Sequence, residues 1–427
     1  MVVRCLCLLI FLSAAVSGAD TKPKKPPFDF AAAERLADQQ LKRPATPAEK
    51  PPAPVPPIKP AQPLCNACKG TLLAACPQHA KQAAYVSDTP NDPQICKVCS
   101  GAGVLACPTC KNKKDLADQW KQAEDTSKQI VEDLRTSIKD MHALAEGGKL
   151  GYKLSGHAAP HVVIGSTLDR KSILPCVHHA EGAIAKLNEA FTRPEGTKTT
   201  FDFLKAQDTR FFIVNTQAEY KPFVENIVKV QSPSIDVDLT LKLSGTHRFY
   251  PPSLSLTCFE KLARREDTLQ HSVVHQLGHF AVNRLAGSRS LPTWIEEGFA
   301  AQVETMEMGQ PVIYCCDYQE NRLDVLRTRD AALKRLSQKP IPMEKLVRIT
   351  YLDMKADEYF QAWSLVTMLI ERDSDKFQAF LKALPKGERD PGGLRIDAAE
   401  QEAALKEAYG YDYPKLLAVW RMWLATR

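Results

Sequence analysis

The stretch HSVVHQLGHF, His271 to Phe280, decides the reading of this 427-residue chain. It sets His271, His275 and His279 at successive i, i+4 spacings, so on an α-helix all three imidazoles share one face. Two imidazoles one turn apart can hold a single metal ion, and a carboxylate from a neighbouring element would complete the protein ligands. The residue after His275 is Gln276. An amide donates and accepts hydrogen bonds but cannot take a proton from water near neutral pH. The pattern therefore keeps metal donors and supplies no base between them. His271, one turn before the pair, is expected to pack or cap rather than ligate.

Downstream lies LPTWIEEGFAAQVE, Leu291 to Glu304. HQLGH followed at this distance by W-I-E-E-G-F-A resembles the zinc site of the gluzincin peptidases, the thermolysin and aminopeptidase N superfamily. There H-E-x-x-H supplies two histidine ligands and a general-base glutamate. The resemblance implies an α+β fold: a zincin-like metallopeptidase domain with a mostly helical C-terminal part. It implies zinc ligands at His275, His279 and Glu297, and it places Gln276 at the degenerate base position. General-base assistance is worth ~10²–10⁴ in rate, so its loss points to a pseudoenzyme. A weaker resemblance, through YFQAWSLVTMLIE (Tyr359 to Glu371) and ALKEAYGYDYPKLLAVWRMWL (Ala404 to Leu424), is to the C-terminal helices of secreted bacterial gluzincin-like domains. It makes Tyr359 a candidate oxyanion donor, against the alternative of a half-buried tyrosine on an amphipathic helix. Glu296 points about 100° away from Glu297 on a helix, toward solvent or behind the ligands.

The chain has 13 cysteines, most of them in one short region. CNACKGTLLAACPQH (Cys65 to His79) aligns with CKVCSGAGVLACPTC (Cys96 to Cys110). The repeat supplies Cys65, Cys68, Cys76, His79, Cys96, Cys99, Cys107 and Cys110, the eight soft ligands that two tetrahedral zinc ions require. A histidine in the eighth place favours metal over disulfides, because imidazole can ligate but cannot form a disulfide. CKVCSGAG resembles the repeats of the DnaJ-type cysteine-rich domain, in which the outer pairs share one zinc and the inner pairs the other. Spacing alone leaves both crossed and within-repeat pairing open. Such closed sites serve folding and partner binding.

The first residues, MVVRCLCLLIFLSAAVSGAD, read as a secretory signal peptide over 1–19, and hence as export to the periplasm, cell surface or medium. No later run approaches the ~18 apolar residues of a membrane span. A proline- and lysine-rich linker follows over 20–63, with the composition of extended chain that builds no core. The cysteine-rich zinc module occupies 64–112, a connecting helix 113–148 and the peptidase-like domain 150–427. HVVIG (His161–Gly165) and RFFIVNT (Arg210–Thr216) read as strands, each followed by a helix, and RFYPPSLSLTCF (Arg248–Phe259) as a strand or edge hairpin broken by its prolines. Cys176, Cys258, Cys315 and Cys316 are enough for two disulfides. With 56 basic and 50 acidic residues the net charge is +6, too mild and too interspersed to argue for nucleic acid.

Three functions fit these residues. The first is an exported, catalytically impaired gluzincin-like protein that binds peptides or proteins and carries three zinc ions, two in the module and one in the peptidase-like domain. The second is an active metallopeptidase with a displaced base. The third is a metal-free structural or interaction domain.

Overall fold

The computed structural model describes residues 28–41 and most of 67–427; the longest stretches outside it are 1–27, 42–66, 192–200 and 313–321. The proposed signal peptide, Cys65, His79, Cys315 and Cys316 therefore lie outside the described residues. Helix α1 (Phe30–Gln40) comes first, then a small antiparallel ladder of β1 (Leu73–Ala75) with β3 (Val104–Ala106), and then the long helix α2 (Ala117–Gly147). Strand β2 (Val86–Ser87) leaves the interval between β1 and β3 and joins the main sheet.

That sheet has six strands in the order β2, β4 (Ser155–Ala159), β5 (Val162–Ser166), β6 (Thr209–Val214), β8 (Ser253–Cys258), β7 (Gly245–Arg248). β5, β6 and β8 run parallel, while β2–β4, β4–β5 and β7–β8 pair antiparallel. Parallel neighbours need a crossover, and helices provide it. α3 (Arg170–Ala190) links β5 to β6; α4 (Gln217–Phe223), α5 (Lys229–Gln231) and α6 (Val237–Lys242) follow β6. The strands RFFIV and VVIGS are apolar on both faces because both faces are covered. Ile164, Phe211 and Ile213 pack toward α3, α7 (Thr268–Leu285) and α8 (Thr293–Met308). Val163, Phe212, Val214 and Leu254 pack toward α2 and α4.

The rest is helical: α9 (Arg322–Gln338), α10 (Met343–Leu346), α11 (Ala356–Arg372), α12 (Ser374–Ala383), α13 (Ala398–Tyr409) and α14 (Tyr413–Leu424), with the hairpin β9 (Glu388–Asp390) and β10 (Gly393–Arg395) before α13. The fold is thus mixed α+β with a mostly helical C-terminal part. None of the described helices is long and apolar enough to cross a membrane.

Two expectations need correction. Residues 30–40, inside the expected linker, form a helix. Asp29 caps it, accepting from the Ala32 amide at 2.9 Å, and Ala33 and Ala37 are buried. Asp38 pairs with Lys415 of α14 at 2.8 Å, and Glu34 with Arg372 at 2.7 Å. The segment FAAAERLADQQ contains no proline and sets its buried Ala33 and Ala37 one turn apart, so it escapes the composition around it. Second, Cys176 and Cys258 do not form a disulfide with each other. Both are buried thiols on opposite faces of the sheet, and burial pushes the Cys176 thiol up to about 12.

Candidate metal centres

Helix α7 is buried almost all round, so the HSVVHQLGHF segment lies inside the protein and not on its surface. An interior helix carrying three histidines has to satisfy them there. Its neighbour is α8, reached through Ala286–Pro292 and ended by Gly309 in the left-handed conformation, φ +83°. The two helices approach closely at Gly278, the residue before His279. A Cβ on Gly278 would lie 2.6 Å from the Ala300 Cα, so only glycine permits the approach. Gly298 plays the same part toward α11, where a Cβ would meet the Ala362 carbonyl oxygen at 2.7 Å.

This packing brings His275, His279 and Glu297 together, with one ligand atom from each lying within 4.8 Å of the others. His275 Nε2 is 3.5 Å from Glu297 Oε2, and His279 Nε2 is 3.5 Å from Glu297 Oε1. Metal bonds of ~2.1 Å in a tetrahedron give ligand-to-ligand edges of ~3.4 Å. All three side chains are fully buried, and neither oxygen of Glu297 accepts a hydrogen bond among the described residues. A buried carboxylate without donors is costly, whereas a cation among these atoms would satisfy it. The residues thus fit a metal ion.

The surrounding groups separate into clear roles. Glu304, two turns beyond Glu297 and fully buried, meets His275 Nδ1 at 3.1 Å and His271 Nδ1 at 2.6 Å, and accepts from the Val312 amide. His271 therefore packs behind the donor cluster, as the sequence suggests, and holds a carboxylate while it does so. Sequence reasoning missed Glu304. The available signal was its seven-residue spacing from Glu297, which returns a side chain to the same helical face. Glu296 is fully buried rather than solvated; it accepts from the Leu291 amide at 3.1 Å and from the Tyr351 hydroxyl. Gln276 is buried on α7 beside the donor cluster. Tyr359 lies in the core on α11, one turn before Ala362, edge-on to Phe360 at 5.6 Å between centroids.

The cysteines form two further clusters: Cys68, Cys107 and Cys110, and Cys76, Cys96 and Cys99. The pairing is therefore crossed between repeats. The β1–β3 ladder makes it so, with the Cys76 amide donating to Gly103 O and the Cys107 amide to Leu72 O. Cys68 and Cys110 sulfurs lie 3.8 Å apart, as do those of Cys76 and Cys96. A disulfide requires ~2.05 Å, whereas two thiolates on one ion with ~2.3 Å bonds stand ~3.8 Å apart. At Cys96 burial raises the thiol, but hydrogen bonds from the Cys99 and Val98 backbone outweigh it and leave it below its ordinary value. At Cys99 burial prevails and the thiol is raised.

A family model described as a protein of unknown function (DUF1570) matches residues 266–391, a span that includes α7, α8, α11 and α12. A comparison with curated proteins returns no match.

Proposed function

We propose that this chain is an exported zinc protein whose C-terminal domain has the gluzincin plan, holds one ion through His275, His279 and Glu297, and binds peptides or proteins without cutting them. The observation that carries this reading is the fully buried Glu297 carboxylate, without hydrogen-bond donors among the described residues, set between two imidazole nitrogens at 3.5 Å. A metal-free domain would leave that charge uncompensated, which argues against a purely structural role. A zinc ion in such a site supplies Lewis acidity and acidifies water.

The chain's own groups then decide whether hydrolysis follows. Gln276 stands where the base would be, and its amide can hold a hydrogen bond but carries no proton onward. The other acidic groups on α8 are engaged elsewhere: Glu304 with His271 and His275, Glu296 with Leu291 and Tyr351, Glu307 with His179 and Lys186. A displaced base among them would have to abandon these contacts, so the impaired reading is favoured over the active one. The cysteine module supplies the two other zinc sites, with Cys65 completing the Cys68, Cys107, Cys110 set and His79 the Cys76, Cys96, Cys99 set.

The test is to incubate zinc-loaded wild type and Gln276→Glu with a mixture of unstructured peptides. The wild type is expected to leave them intact, and the variant, at equal zinc content, to cut them. Cleavage by the wild type that disappears in His279→Ala would overturn the impaired reading.

A further inference from the structure

The chain between the two cysteine repeats is fastened to the large domain far more firmly than a spacer needs. Cys76 and Cys96 are 20 residues apart with sulfurs 3.8 Å from one another, so the intervening loop leaves one cluster and returns to it. Midway it becomes β2, the outer strand of the sheet, pairing Val86 with Ala158 and Ser87 with His157. The Tyr85 hydroxyl donates to Asp92 Oδ2 at 3.0 Å and meets His157 Nδ1 at 2.8 Å. Asp92 also accepts from Ser87 at 2.7 Å and pairs with Arg170, the first residue of α3, at 3.0 Å. Asp88 accepts the Gly156 amide at 2.9 Å and meets His142 of α2 at 2.6 Å. One loop thereby ties β4, α2 and α3 together.

A two-residue strand has too few ladder bonds to order itself, and closing a loop of this length carries an entropic cost. The ends of the loop are therefore decisive, and the cluster holds them. The Tyr85 amide donates to the Gly101 carbonyl at 2.7 Å. Gly101, at φ +96°, leaves no room for a Cβ against the Tyr85 carbonyl. Cys76, Cys96 and Cys99 belong to the same apolar cluster as Val86, Ile138 and Ala158. Cys68, Cys107 and Cys110 sit in a separate one with Leu72, Ala74 and Ala123. The two clusters are thus alike in chemistry and unlike in reach.

We propose that the cluster of Cys76, Cys96 and Cys99 is a metal-operated latch on the sheet edge: its metal occupancy keeps β2 closed on β4, and its loss opens that edge. The other cluster secures the module and the first turns of α2, away from the sheet edge. The proposal rests on the reading of the module as zinc-binding, because metal affinity at thiolates that converge only in the folded state is folding free energy.

Zinc content and amide hydrogen exchange are measured on the mature protein, on Cys76→Ser and Cys107→Ser, and on wild type stripped with a chelator and then reloaded with zinc. Each variant is expected to lose one zinc. Exchange over residues 155–159 should accelerate at least ~10-fold in Cys76→Ser and in stripped wild type, as local opening requires. It should recover on reloading and stay unchanged in Cys107→Ser. Cys76→His, which keeps a ligand in place, should retain both zinc and protection. Equal protection of 155–159 in wild type and Cys76→Ser overturns the latch, as does loss of protection in both serine variants alike or throughout α13 and α14. Zinc content unchanged by either serine variant would instead remove the zinc reading of the module, and the latch with it.

Discussion

Replacing Gly278 by alanine tests how the fold assembles its metal donors. The added Cβ would lie 2.6 Å from the Ala300 Cα, a backbone atom that no rotamer change can move. An interior packed at crystal-like density has no slack, so relief requires α7 and α8 to part by about 1 Å. Gly278 adjoins His279, and Ala300 is one turn from Glu297, so the displacement falls on the 3.5 Å gaps between donors. Ligand distances tolerate only ~0.2 Å, and a misplacement of this size should weaken metal binding by on the order of 100-fold. Stability responds less. Overpacking costs ~1–3 kcal/mol, and about 1 kcal/mol returns from alanine's better helix propensity. Competition titration against a metal chelator and melting of the metal-free proteins would show a large loss of affinity beside a drop of a few degrees. Wild-type affinity at the α7–α8 site in Gly278→Ala would refute the reasoning.

Other outcomes follow from the same contacts. Glu304→Gln keeps the shape but cannot accept from both His271 and His275, and metal affinity should fall ~10–100-fold with little change in the melting temperature of the metal-free protein; unchanged affinity would count against it. Burial holds His157 below its ordinary value of 6.5, with Asp88 and Asp92 opposing and Arg170 assisting. Its contribution is therefore full above the unfolded value and is lost as pH falls below it, so melting temperature should fall from pH 7.5 to 5.5 less steeply in His157→Gln than in wild type. Parallel slopes would contradict this. Asp38→Ala leaves the buried Lys415 ammonium unpaired and should cost ~3–5 kcal/mol, most of it recovered by Asp38→Leu with Lys415→Met; denaturant unfolding decides, and a cost under ~1 kcal/mol would show that the pair holds nothing.

The parts of this molecule that sequence discloses are those where chemistry or burial fixes residue type at fixed spacing. His275, His279 and Glu297 are legible because a shared ion would demand them, and they do converge. RFFIV and VVIG are legible because doubly covered strands must be apolar throughout. Strand β4, SGHAA, is not, since it lacks branched residues and owes its place to β2 and β5. Helix α1 hides in a proline-rich composition that its own residues do not share. Crossed pairing of the cysteines could not be read because both repeats have the same spacing, and only the β1–β3 register selects between the alternatives. Tyr359, half-buried as one sequence alternative has it, is fully packed in the core. Glu304 is harder to read because it stands behind the ligands rather than among them, although it occupies the same helical face as Glu297.

Whether α7 and α8 hold a metal ion can be counted directly. The measurement is the zinc content of the purified chain beside that of His279→Ala. About three ions per chain are expected in the wild type and about two in the variant, since losing a ligand abolishes one site and spares the cysteine clusters. About two ions in both proteins would contradict it.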